Sequence, residues 1–263
     1  MERLAYVAPL ALYAVLAFVH LLPGVWAWGE RNVPSVGGIA VTMHAFALGI
    51  ALTSGHPGLG EALSATSCGL MIAWLLTARG GMKNVGMALT PLGTVILGVS
   101  TVVPDRTSAV MSSAGPSPWL PVHLGLTFAG LAGFALSFGV GVLYLVARNR
   151  LKHKDISRLR SLPPLEWLDR LQFRATLFGF VFLTLGIAAG GAWAAAALER
   201  PWAFDPKILA TLALWLWYGV ALQVRLVLKM RGRWSALMSI AGFTATVSSM
   251  IAFRFISGWH SGG

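Results

Sequence analysis

Acidic side chains are scarce in this chain. Asp and Glu together number 9 among 263 residues, against 20 Lys and Arg, and all charged residues make up only 11% of the sequence. A soluble domain carries roughly 25%, so a chain this poor in charge and 56% hydrophobic lacks the polar surface of one. Cysteine is rarer still. The single thiol, Cys68, sits inside an apolar run. That excludes a structural disulfide, a CxxC redox motif, a Cys-rich metal site and the CxxCH signature of a c-type cytochrome within one chain. Internal repeats, low-complexity tracts and the paired broken helices of many transporters are also missing. No small-residue cleavage site follows the first apolar stretch, which is therefore expected to be a retained helix and not a signal peptide.

What the chain does have is long apolar runs separated by short polar segments, the pattern of a membrane protein. The runs predict an all-α, polytopic fold with about eight transmembrane helices. Their expected positions are near 4–27, 36–54, 61–78, 85–103, 119–147, 173–198, 207–228 and 234–257, within one transmembrane domain over 1–263. The long fifth helix should project from the bilayer or tilt. Prolines 34, 57, 104, 116, 118, 121, 201 and 206 fall at or near the expected helix ends. The segment 148–172, RNRLKHKDISRLRSLPPLEWLDRLQ, is expected to be the only sizeable cytoplasmic piece. It suggests a short amphipathic helix at 164–171, lying at the interface with Trp167, Leu168 and Leu171 toward lipid or protein.

The net charge of +11 raises nucleic acid as a partner. The placement of the basic residues argues against it, because they lie in short segments between apolar runs, where they set topology. Alternate connectors differ sharply. One set holds Arg31, Arg79, Lys83, eight basic residues from Arg148 to Arg174, and Arg225, Lys229, Arg231 and Arg233, fifteen in all. The other holds Arg3, Arg106, Arg200, Lys207 and Arg254. The fifteen-to-five split assigns the first set to the cytoplasm and both termini to the outside of a bacterial-type plasma membrane, as an even helix count requires.

Six histidines carry the chemical interest. His56 and His153 fall in connectors and read as solvated. His123 begins the fifth helix and His260 follows the eighth, on the same outer side. Neutral imidazoles near one depth suit the two axial positions of a haem iron. The loop between the sixth and seventh helices adds Trp193, Trp202, Phe204 and Asp205-Pro206-Lys207. Its aromatics suit a flat apolar macrocycle, and Lys207 and Arg200 suit propionates. The competing reading is an interfacial aromatic belt. His20 and His44 form a second pair, expected at similar depths of roughly 10–12 Å from the cytoplasmic edge. Ionisable groups in membrane helices default to a functional hypothesis. The alternative is a neutral imidazole bonded to a carbonyl or a hydroxyl.

Three stretches bring the chain close to a known family. LGEALSATSCGLMIAWLL at 59–76 looks like an "NLYESL-F-W" helix, with Glu61 at its acidic position. LPPLEWLDRLQFRATLFGFVFLTLGIAAGGAWA at 162–194 is close to a HemX-like pattern. WAFDPK at 202–207, followed by LALWLWYGVALQVR at 212–225, is similar to a tryptophan-rich "WWD" loop and the helix after it. The ending SGWHSGG is similar to "GLHS-G". The chain thus resembles the cytochrome c assembly family of membrane haem-handling proteins, the CcsA/ResC and HemX-like group.

The resemblance implies that His123 and His260, before and after the loop, ligate the iron of a non-covalent haem b. Trp193, Trp202, Asp205, Pro206 and Lys207 match positions of the loop that roofs it. The loop departs from the family pattern: Phe204 stands in place of a tryptophan, and Leu198-Glu199 in place of Trp-Gly. Gln223 stands where synthase members have an intramembrane histidine, and His20 with His44 is a candidate replacement. The implied function is haem delivery at the outer face for cytochrome c maturation, within a haem lyase or synthase assembly. A second membrane protein and apocytochrome c are the implied partners. The alternatives are a HemX-like regulator of tetrapyrrole synthesis and, further off, a small-molecule transporter.

Overall fold

The computed structural model describes residues 2–22, 26–54, 58–80, 82–103, 117–154, 162–198 and 206–259. Among them are eight α-helices and no β-strand: α1 (Val7–Leu21), α2 (Trp26–Ser54), α3 (Leu59–Arg79), α4 (Gly86–Val102), α5 (Trp119–Lys152), α6 (Leu165–Leu198), α7 (Pro206–Leu226) and α8 (Arg233–Trp259). By length and composition, six of these regions can cross a membrane: Leu4–Leu21, Asn32–Thr53, Leu59–Arg79, Trp119–Lys152, Leu165–Ala196 and Ile208–Leu226. The 17-residue α4 is apolar but shorter.

Four sequence expectations change. The first helix ends at Leu21 and not at 27. The second helix starts at Trp26 and not at 36, so Pro34 lies within it. Proline removes one helical hydrogen bond, a loss that membrane helices tolerate where other groups re-satisfy the backbone. The expected interfacial helix at 164–171 is the start of α6, which runs unbroken to Leu198. Pro163-Pro164 ends the preceding connector, and Leu165–Leu198 contains no proline to interrupt it. The fifth helix continues five residues past its expected end, to Lys152.

The helices gather into two compact units. The first comprises Met1–Ala114 and Val142–Leu168, and the second Gly115–Gly141 and Asp169–Gly263. In the first unit α1 packs on α2 and α4, and α3 closes the ring from the other side. Its core contains Tyr13, Leu16, Leu70, Met71, Trp74, Leu89 and Leu97. Close approach of α3 and α4 depends on Gly93, whose added Cβ would lie 2.8 Å from the Met71 sulfur. Ser67 Oγ donates to the Gly93 carbonyl at 2.7 Å.

In the second unit α5 and α6 form an antiparallel pair in close backbone contact. Gly141 meets Gln172, Gly133 meets Gly179, Gly130 meets Leu183, Thr127 meets Gly186 and His123 meets Gly190. Lipid tails are as apolar as leucine, so such helices associate by packing, and small residues let the backbones approach. Ser137 Oγ bonds Thr176 Oγ1 at 2.7 Å and donates to Ser239 Oγ at 2.8 Å. Gln172 Nε2 donates to the same Ser239 oxygen at 3.0 Å. Phe134 stacks on Tyr218 at 3.6 Å, which brings α7 onto the pair. At the other end, Arg225 of α7 donates to both Asp169 carboxylate oxygens at 2.8 and 2.6 Å. Asp169 also accepts the Gly232 N–H at 2.9 Å. Gly232 has φ 69°, the left-handed conformation that favours glycine. The turn into α8 is thereby pinned to the start of α6.

Candidate functional site

His123 stands in the second turn of α5, two residues after Pro121. Proline is tolerated there because the first helical N–H groups have no intrahelical acceptor. The imidazole leans onto α6, and Nδ1 lies 2.8 Å from the Gly186 carbonyl oxygen. A carbonyl only accepts, so Nδ1 carries a proton, and in the neutral imidazole Nε2 then keeps its lone pair. Among the described residues no hydrogen bond engages Nε2. Metal-ligating histidines commonly have their second ring N–H held in this way, by a carbonyl or carboxylate that fixes the tautomer.

Gly190 makes the arrangement possible. A Cβ there would stand 2.8 Å from His123 Nδ1 and 2.9 Å from Cε1. Gly190→Ala should therefore displace the ring from Gly186 while leaving its chemistry intact. The expected result is a disturbed ligand environment, read as a shifted or partly high-spin visible spectrum, with full-length protein still accumulating. A spectrum identical to wild type would remove Gly190 from the account.

Trp193 follows Gly190 by three residues, which places both on one helix face. Its indole Nε1 is buried with no hydrogen-bond acceptor among the described residues. An orphaned buried donor costs about 1–3 kcal/mol, and an acceptor oxygen brought by a ligand would satisfy it. His123 and Trp193 are thus the two sequence candidates that the described structure brings to one end of the α5–α6 pair. Lys207 belongs to the first turn of α7. His260, Trp202 and Asp205 lie outside the described residues, as do Arg200 and Phe204. Among the described residues no group of three or more His, Cys, Asp or Glu could hold a metal ion. An axial haem ligand requires only one imidazole per face, so His123 fits that group without such a cluster.

His20 and His44 occupy two separate sites in the first unit. His44 is fully buried. Its Nδ1 meets Tyr13 Oη at 3.0 Å and its Nε2 meets Ser64 Oγ at 2.9 Å, and both Tyr6 and Tyr13 present ring edges to it. With both nitrogens engaged, no lone pair is left for iron. His20 holds the Leu16 carbonyl through Nδ1 at 2.7 Å. Its Nε2 points at the Gly86 backbone, and the Trp74 ring lies edge-on 5.4 Å away. His44 stands level with Tyr13, seven residues from His20 along α1 and so roughly 10 Å away. The similar depths expected of the pair are not found, because α1 ends at Leu21 and α2 starts at Trp26.

Other expected features have plainer roles. Glu61 accepts the Gly58 N–H at 2.7 Å and caps α3. Trp215 donates to Thr184 Oγ1 and Trp217 to the Met238 carbonyl, so both indoles serve packing. Gln223 is exposed on α7. The Gly186 and Gly190 seat for His123 was not anticipated, although its small-xxx-small spacing stands in the sequence.

Comparison with known proteins bears on the same residues. The family model described as cytochrome C assembly protein matches residues 57–260, which include His123, Trp193 and His260. The chain is 30% identical over 251 aligned positions to a cytochrome c biogenesis protein CcsA of Prochlorococcus marinus (strain NATL1A), covering 80% of this chain and 78% of that protein. It is 27% identical over 296 aligned positions to the protein of the same name from another strain of Prochlorococcus marinus, covering 97% and 94%. A Guillardia theta relative, also named cytochrome c biogenesis protein CcsA, is 27% identical over 224 positions, covering 77% and 74%.

Proposed function

Because the chain belongs to the cytochrome c assembly protein family, we propose that it holds haem at the end of the α5–α6 pair and offers it for cytochrome c maturation. The observation that carries this reading is the His123–Gly186 contact, which engages Nδ1 and leaves Nε2 free to face a ligand. His260 is the second axial ligand in this reading. Trp193 gives its indole N–H to an acceptor on the haem edge. Trp202 covers the macrocycle, and Asp205 and Lys207 close the loop around it. The haem is non-covalent haem b while it resides here. It supplies the vinyl carbons to which the two thiols of an apocytochrome add. Cys68 is single and buried, so thiol reduction belongs to another protein. The helix connections within these 263 residues are too short to form a soluble domain. We therefore assign the surface that holds apocytochrome c to a second membrane protein.

All eight helices cross the membrane in this reading, α4 at the lower limit of about 17 residues. The fifteen-to-five split of basic residues supports a cytoplasmic 148–172 and an outer His123, in a bacterial-type plasma membrane. A reporter fused after Lys154 should behave as cytoplasmic, and one fused after Gly263 as external. The reverse pattern would remove the outer site.

Deletion of the gene should abolish covalent haem in c-type cytochromes, seen on haem-stained denaturing gels, while b-type spectra persist. The HemX-like regulatory reading predicts normal staining with altered levels of early tetrapyrrole enzymes. It is the less favoured, since the relatives named above carry cytochrome c biogenesis names.

A further inference from the structure

The first unit carries a second binding feature, on the far face of α2 and independent of the histidines. An open groove of ≈ 390 Å³ runs along this helix, lined by Pro34, Ser35, Gly38, Ile39, Thr42 and Met43, with Arg79 also at its wall. Its volume falls in the range of roughly 300–1,000 Å³ typical of ligand sites. Small residues make the furrow. A Cβ on Gly38 would meet nothing within 4 Å, whereas Ile39 and Met43 stand out at 59% and 40% exposure and form a ridge. Thr42 spends its hydroxyl proton on the Gly38 carbonyl at 2.9 Å, and the furrow's surface is mainly apolar.

Arg79 is the last residue of α3, at the edge of a membrane-spanning helix. It is exposed, and among the described residues it makes no ion pair. An apolar furrow with an unpaired guanidinium at a helix end selects a molecule with a hydrocarbon tail and an anionic head. Basic sites between membrane helices hold lipid headgroups in this way, and guanidinium binds phosphate through paired, charge-assisted hydrogen bonds.

We infer that this groove binds an anionic glycerophospholipid, its phosphate on Arg79 and one acyl chain along Gly38, Thr42 and Met43. A docked protein helix fits less well. It would bury an unpaired guanidinium, which is costly inside a membrane, whereas a lipid phosphate neutralises the charge at the water interface.

The test is native mass spectrometry of the purified, delipidated full chain in detergent. It is titrated separately with phosphatidylglycerol and with phosphatidylcholine of identical acyl chains. The wild type should bind the first phosphatidylglycerol about fivefold more tightly, the preference expected of one well-placed arginine. Arg79→Gln should bring the two lipids to parity. Gly38→Leu fills the furrow from a position with open space around it, and should weaken both. Equal binding of the two lipids by the wild type, or an intact preference in Arg79→Gln, would overturn the inference. So would a Gly38→Leu protein that titrates normally but loses a co-purifying membrane protein, which would make the groove a helix-docking face.

Discussion

On the proposed reading, replacing His123 with alanine should convert a six-coordinate, low-spin haem to a high-spin one, or empty the site. Two axial imidazoles give the low-spin form. In that reading one of them is lost in this variant, and the cavity it leaves is large enough for free imidazole to enter. Millimolar imidazole should therefore restore part of the low-spin Soret band in His123→Ala. It should restore nothing in a protein whose loss of haem reflects unfolding. His44→Ala supplies the contrast. It removes the partner of Tyr13 and Ser64, leaving a cavity and two unsatisfied hydroxyls in the first unit. Haem content should stay normal while thermal stability falls. An unchanged low-spin spectrum in His123→Ala would show that another residue holds the iron.

The largest effect on stability is expected at the opposite end of α6. Asp169→Ala leaves Arg225 with a largely buried charge and removes three hydrogen bonds at once: the two charge-assisted bonds from Arg225 and the bond from the Gly232 N–H. The two side chains retain only 9% and 15% exposure. Breaking one partner of a buried pair costs about 3–5 kcal/mol, and the residual exposure of Asp169 favours the lower end. Arg225 still has Ser235 Oγ at 3.0 Å and the Phe173 ring at 4.7 Å, which soften the loss without cancelling the charge. Thermal melting of the detergent-solubilised protein reads the effect. The double variant Asp169→Ala, Arg225→Met should recover part of it, since the stranded charge is gone. The haem spectrum of the folded fraction should not change, because Asp169 and Gly186 lie roughly 26 Å apart along one helix. A melting curve superimposable on wild type would reduce the clamp to a surface pair.

The helical architecture was legible because apolar runs of bilayer length dominate the sequence, and helix positions followed them within a few residues over much of the chain. Helix ends were read less well where proline or a charged connector suggested a stop. Pro34 lies inside α2, and the charges of 166–174 lie within α6. A long helix carries both when its remaining hydrogen bonds and its packing outweigh one lost bond. His123 stood out as a candidate through its resemblance to a family position. Its tautomer was not, because the Gly186 carbonyl is supplied from 63 residues away. The environment of His44 was hidden for the same reason. Tyr13 and Ser64 come from two other helices, at separations of 31 and 20 residues. Depth along an isolated helix says nothing about which side chains meet there.

Complementation of a deletion strain tests the central claim most directly, with covalent haem in c-type cytochromes scored on stained denaturing gels. Wild type and His44→Ala should restore staining. His123→Ala and His260→Ala should leave it absent although the protein accumulates in the membrane. Full staining in cells whose only copy carries His123→Ala would contradict the account.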